Sequence, residues 1–229
     1  MLLLALFGCT VTSTSEDVLW SGYVYAKQQN GDLLQLQTGT LTMLDLMGEE
    51  LIPGEQPYDT SPSYWTFTVP KEEQGLDIAI RIEAEGHDTM LWRGQTPNAR
   101  SVWLGGTLYT HTKAYNQYFF SAVSNTEVLP LADGEVVHLY GQPFLPTAWA
   151  NAEISITDGN GETQIVETFS YDEAGIFSSE ISEKIDFFTA FNIAPGLVTL
   201  HIKLPDGKEI STDYPTEGGD LISAINFTL

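Results

Sequence analysis

Glu153–Glu162 reads EISITDGNGE, and the fold follows from how this stretch is parsed. Ile154 and Ile156 alternate with polar residues, the pattern of a strand with one buried face. Asp158-Gly159-Asn160-Gly161 then supplies residues at ease with positive φ, as a tight hairpin demands. The same layout stands earlier in the chain. Laid without a gap over TLTMLDLMGEELIPGEQPYDTSPSYWTF from Thr40, the stretch EISITDGNGETQIVETFSYDEAGIFSSE from Glu153 puts Asp158 on Asp45, Gly161 on Gly48 and Glu162 on Glu49. Tyr171-Asp172 falls on Tyr58-Asp59, Ile154 and Ile156 on Leu41 and Met43, and Phe177 on Tyr64. Each copy then runs into an alternating strand, LDIAIRIEAEG in the first and LVTLHIKLPDG in the second. Agreement of turn, Tyr-Asp pair and following strand argues for two copies of one domain.

Outside the repeat the chain keeps the same texture. Short runs such as WSGYVYA, YWTFTVP, EVVHLYG and SAINFTL are separated by Asn30-Gly31, Asp133-Gly134, Pro195-Gly196 and Asp206-Gly207. Strands at this spacing predict an all-β protein of two tandem β-sandwiches. At most one short helix is expected, over SSEISEKIDFF, where Ile181, Ile185 and Phe188 fall at helical spacing and compete with a strand through FFTAFNI. The stretch THTKAYNQYFF reads as the closing strand of the first domain. The expected organisation is a signal segment over 1–8, a polar tether over 9–17, one sandwich over 18–127 and a second over 128–229.

The second copy also resembles a known family. FSYDEAGIF and the later APGLVTLHI are similar to the hairpin and the Pro-Gly-launched strand of the carboxypeptidase regulatory-like domain, a transthyretin-like, Ig-like sandwich. Asp172, Gly175, Phe177, Pro195, Gly196, Val198, Thr199 and Leu200 carry the match. In the first copy Pro62 replaces the turn glycine, and YWTFTVP with IRIEAEGH still resembles the family's ending. The resemblance implies a non-catalytic accessory or repeated extracellular module, and fold analogy names no ligand.

Residues 1–10, MLLLALFGCT, hold an apolar run too short to span a bilayer, ending in Gly8 and then Cys9. Leu6-Phe7-Gly8-Cys9 resembles the lipobox of bacterial lipoproteins, although no basic residue precedes the leucines. That resemblance implies cleavage before Cys9, acylation of Cys9 and, with Thr10 next, outer-membrane sorting in a diderm host. Two or more acyl chains give stable anchoring where one is marginal. Cys9 is the sole cysteine, so an intramolecular disulfide and a cysteine-based metal site are both excluded.

The charge narrows the partners. The 229-residue chain carries 31 acidic residues against 9 basic, a net charge of -22, which repels phosphate backbones, so no nucleic-acid partner is expected. Acidic loops leave a shallow calcium site open. The loop from Asp158 does not follow EF-hand spacing, because Thr163 and Phe169 stand where Gly and Glu are required. None of His87, His111, His138 and His201 has metal-ligand spacing, and His201 is expected to face solvent from an alternating strand. No nucleophile elbow, P-loop or Rossmann pattern is present.

The aromatics allow two readings. Trp65 and Phe67 share one strand face, and Tyr115, Tyr118, Phe119 and Phe120 are placed to build the contact between domains. Trp20, Trp92, Trp103 and Trp149 either enter the core or, if exposed, form a sugar-stacking platform. The expected protein is a lipid-anchored envelope module with a structural or adhesive role, neither enzyme nor cofactor carrier. It meets the membrane through its anchor and an unidentified protein or glycan through its body. The alternatives are a carbohydrate-binding lipoprotein and an envelope hydrolase, the latter needing two carboxylates facing across a cleft.

Overall fold

A computed structural model describes residues 17–28, 30, 32–36, 38–51, 56–60, 63–97, 105–124, 127–143, 145–173, 176–179 and 183–227. The signal and lipidation readings, Cys9 included, lie outside the described residues. The first half forms β1 (Val18–Lys27), β2 (Leu33–Gln35), β3 (Gly39–Leu44), β4 (Gln56–Thr60), β5 (Ser63–Val69), β6 (Asp77–Glu83), β7 (Thr89–Gln95), β8 (Gly105–His111) and α1 (Lys113–Val123). The second forms β9 (Val137–Pro143), β10 (Glu153–Thr157), β11 (Thr163–Ile165), β12 (Glu167–Tyr171), β13 (Phe177–Ser178), β14 (Phe187–Ile193), β15 (Gly196–Lys203), β16 (Glu209–Thr216) and β17 (Asp220–Phe227).

The protein is all-β, two sandwiches with one α-helix among the described residues, and strand order repeats from half to half. One sheet of the first sandwich runs β7-β6-β3-β4, and its counterpart in the second runs β16-β15-β10-β11. The facing sheets are built on β5-β1-β8 and β14-β9-β17, in which the opening strand has an antiparallel neighbour on one side and a parallel closing strand on the other. Register confirms the equivalence: Leu41 and Met43 oppose Ile82 and Ile80, while Ile154 and Ile156 oppose Ile202 and Leu200. The two turns quoted first also match bond for bond. Asp45 Oδ1 accepts from the Met47 and Glu49 N–H groups, and Asp158 Oδ1 accepts from those of Asn160 and Glu162. Gly48 and Gly161 follow at φ +85° and +83°, a conformation that costs glycine little.

Closing strand β17 then does what β8 does not. It pairs in parallel with β9 of its own sandwich and also with β7 of the first, so one sheet continues through both halves. The two cores lie on opposite faces of that shared sheet. Val24, Met43, Trp65, Phe67, Ile80 and Trp92 fill the first, and Leu139, Ile156, Phe188, Leu200, Tyr214 and Ile222 the second. Because side chains alternate along a strand, the outer face of the second sandwich's sheet is left apolar with Tyr140, Phe169, Phe187 and Leu221. Helix α1 covers it.

Two expectations are corrected. THTKAYNQYFF is not a closing strand: β8 ends at His111, Thr112 caps a helix by accepting from the Tyr115 N–H, and α1 runs through the aromatic stretch. Tyr115, Phe119, Phe120 and Val123 fall on one helical stripe and are buried together, a period of 3.6 hidden under a strand-like composition. SSEISEKIDFF is not a helix in its described part, because Phe187 and Phe188 open β14 and enter opposite cores, both essentially inaccessible. Ile181 lies outside the described residues.

Candidate functional site

The most elaborate polar chemistry lies at the joint between the sandwiches. Arg81, on β6 of the first half, reaches the end of the second half. Its Nη1 donates to Glu217 at 2.9 Å and its Nη2 to Asp220 at 3.0 Å. Asp220 also accepts the Glu217 N–H at 2.8 Å, which fixes the turn into β17. The Asp220 side chain is only 3% exposed, and burial pushes its carboxyl pKa up further than Arg81 and the Glu217 N–H draw it down. For Arg81, burial pulls down and the two carboxylates outweigh it, leaving the guanidinium held above its ordinary value. One of the chain's nine basic residues is thus committed to joining its halves.

A second set of bonds ties down the connection after α1. The pairing of β14 with β9 shifts register between Ala190 and Ile193, and Asn192 there adopts φ +57°. Asparagine tolerates that conformation, and a bulge of this kind re-aims a side chain. Asn192 Oδ1 accepts from the Leu129 N–H at 2.9 Å, and its Nδ2 donates to the Glu127 carbonyl at 2.8 Å. His138, on β9, is bonded through Nε2 to the Leu129 carbonyl at 2.9 Å, and its Nδ1 lies 2.9 Å from the Val137 carbonyl and 3.3 Å from the Asn192 N. Between this segment and α1 lies a cleft of about 590 Å³, lined by Asp88, Asn116, Phe120, Leu129, Leu131 and His138 among others.

From the cleft wall a chain of hydrogen bonds runs inward from Asp88 through Asn116 to His111. Asn116 Nδ2 donates to Asp88 Oδ2 at 2.6 Å, and His111 Nδ1 donates to Asn116 Oδ1 at 2.9 Å. The His111 ring packs edge-on against Tyr115 and Tyr140 at 4.8 and 5.5 Å between centroids. Burial drives its pKa down to about 3, so it stays neutral, and burial likewise lowers His138. Burial pushes Tyr115 up to about 12. Lys27 Nζ lies 5.0 Å from the centre of the Tyr115 ring, with its pKa lowered by burial. Each of these groups is engaged in holding β8, α1 and β9 together.

The sequence-selected residues divide accordingly. His111 and His138 join the joint. His87 sits beside it, bonded through Nδ1 to the Glu85 carbonyl. His201 is half-buried on β15 and bonded to Thr157 and Ser211. Trp65, Trp92 and Trp149 are buried, and Trp20 stands edge-on to Trp65 at 5.2 Å, so the described tryptophans form no exposed coplanar set. Trp103 lies outside the described residues. Tyr115, Phe119 and Phe120 build the expected contact between halves, and Tyr118 instead faces solvent. No cluster of acidic or histidine side chains able to hold a metal occurs among the described residues. Sequence reading missed Arg81, Asn192 and Asp220. Only Arg81 carried a signal, a lone charge inside the apolar run Ile78-Ala79-Ile80-Arg81-Ile82.

No family model and no curated protein matches the chain. Among solved structures it is similar to the TIE protein of Bacillus anthracis, with 12% identity and a TM-score of 0.31 over 91% of this chain and 33% of that one. It is also similar to BcpA, the major pilin subunit of Bacillus cereus, with 7% identity and a TM-score of 0.27 over 87% and 69%. A Streptococcal ancillary pilin gives 8% identity and a TM-score of 0.26 over 89% and 61%. The chain thus spans a third of the first of these and under seven-tenths of the other two.

Proposed function

We propose that the chain is a non-catalytic structural and adhesive module of a cell envelope, held to a membrane by acylated Cys9 and built from sandwiches over 18–127 and 128–229. The observation that carries this reading is the use made of its polar groups at the joint. Arg81 bonds across the halves to Glu217 and Asp220, Asn192 bonds back to the Glu127 carbonyl, and His138, Asn116 and His111 hold the elements on either side of that joint. Such an arrangement makes two modules behave as one body, and it engages Asp88, Asn116 and His138 of the cleft in structural hydrogen bonds. Lipobox-like residues at the other end supply the means of attachment.

The test uses host cells making the native chain, a Cys9→Ala chain or none, fed a fatty-acid probe and scored for attachment to surfaces or to other cells. The native chain takes up label and fractionates with the envelope, the variant does neither, and attachment falls in both altered strains. Equal labelling of the two chains removes the anchor. Attachment unchanged by loss of the chain removes the adhesive role.

A further inference from the structure

Both sandwiches place their ends in the same way, and that placement has a mechanical consequence. In the first, the chain enters at the start of β1 and leaves at the end of β8, and these two strands are parallel neighbours over seven register pairs from Ser21–Gly105 to Lys27–His111. In the second, it enters at the start of β9 and leaves at the end of β17, again parallel neighbours, with Leu221 opposite His138 and Ala224 opposite Gly141. Tension along the chain therefore grips each parallel pair at opposite ends. The strands must slide past one another, and the ladder bonds, lying across the pull, bear it together rather than in succession. Were the closing strands antiparallel to the opening ones, the same pull would open each ladder one bond at a time.

The exit strand of the second sandwich is held twice. β17 also pairs in parallel with β7 from Asp220–Thr89 to Ser223–Trp92, so drawing it out breaks a ladder on each side. Asp220, at its first residue, is bound to Arg81 of the first half. The helix joining the two load-bearing pairs is seated on the sheet by Tyr115, Phe119 and Phe120, and the segment after it is held by Asn192 and His138.

We infer that this chain is a tension-bearing element, whose two parallel opening–closing strand pairs, reinforced by β7 on β17, resist force applied between its ends. The inference rests on the structural reading above and adds what the structure is for: transmitting load between the anchored end and whatever the other end meets. Resistance to force is a matter of unfolding rate rather than of equilibrium stability. It is therefore measured separately from attachment.

Single-molecule pulling on the full chain tests it, in a Cys9→Ala background with two added cysteines as handles. Handles at Asp17 and Lys113 grip β1 and β8 at opposite ends; handles at Gln28 and Lys113 grip them at the same end. At one loading rate the first pair is expected to rupture at a several-fold higher force. Glu135 with Phe227 against Leu145 with Phe227 repeats the contrast for β9 and β17, so a fold upset by one handle leaves the other comparison intact. Thermal unfolding of each variant within a few degrees of the parent certifies its fold. Equal rupture forces for opposite-end and same-end handles in either sandwich overturn the inference, even if labelling and attachment stand.

Discussion

β8 and β17 are the same strand in two copies, yet among the described residues β8 has one neighbour and β17 has two. The difference shows where the halves have diverged. Each sandwich keeps its order, its parallel closing pair and its Asp-Gly turn, because those features make the fold. What differs is whatever the joint requires. Arg81 opposes Thr42 on β3, and His201 opposes Ser155 on β10, so the two residues are equivalents. Arg81 reaches across to Glu217 and Asp220, whereas His201 bonds to Thr157 and Ser211 within its own sheet.

The largest expected effect tests that pair of positions. Arg81→Met leaves the buried Asp220 carboxylate without its partner and should cost about 3–5 kcal/mol in denaturant unfolding. His201→Met removes bonds at a half-exposed strand position and should cost only about 1 kcal/mol. Equal costs would break the claim that the joint, not the copied fold, is what Arg81 serves. Arg81→Met with Asp220→Leu should recover much of the loss, since an apolar pair replaces a buried ionic one.

The two turns give the next contrast. Gly48 and Gly161 share a left-handed backbone, so either change to Ala should cost about 1–2 kcal/mol. An added Cβ at Gly48 would also stand 3.3 Å from the Pro215 side chain at the end of β16, and at Gly161 it would meet open space. Gly48→Ala should therefore be the more destabilising in thermal unfolding, and the reverse order would show that the first turn does not bear on the second half.

A smaller effect concerns pH. His111 has its folded pKa depressed from 6.5 to about 3, so below 6.5 the unfolded chain takes up a proton that the folded chain refuses. Its contribution is complete above pH 6.5 and is lost as pH falls toward 3. His111→Gln should make stability fall less steeply across that window, as read by denaturant midpoints at each pH. An unchanged slope would mean that this ring is not sealed by Tyr115 and Tyr140. A local effect belongs to Asn192→Gly, which suits the φ of +57° and removes two bonds to the connection. It should lower stability by about 1–2 kcal/mol and speed amide exchange at Leu129.

Sequence alone reached the repeated parts and stopped at the joint, for physical reasons. Asp45-x-x-Gly48 and Asp158-x-x-Gly161 are local: the residues that make the turn stand beside one another, so their pattern is readable. Strand alternation is equally local and sets Trp65 and Phe67 on one face, which the fold buries. The stretch that forms α1 imitates a strand because four aromatics fall in a short run, while the Thr112 cap and the i, i+4 stacking of Tyr115 on Phe119 make it a helix. Phe187 and Phe188 were drawn toward a helix because adjacent apolar residues break alternation, a break that two cores on opposite faces of one sheet make necessary. Arg81 and Asp220 are far apart in the chain, and nothing near either announces the other.

β17, held by β7 and β9, fuses the two sandwiches into one cooperative body. Scanning calorimetry of the full chain tests it most directly. A single transition is expected, in which the van't Hoff and calorimetric enthalpies agree. Two resolved transitions, each carrying roughly half the total enthalpy, would contradict it.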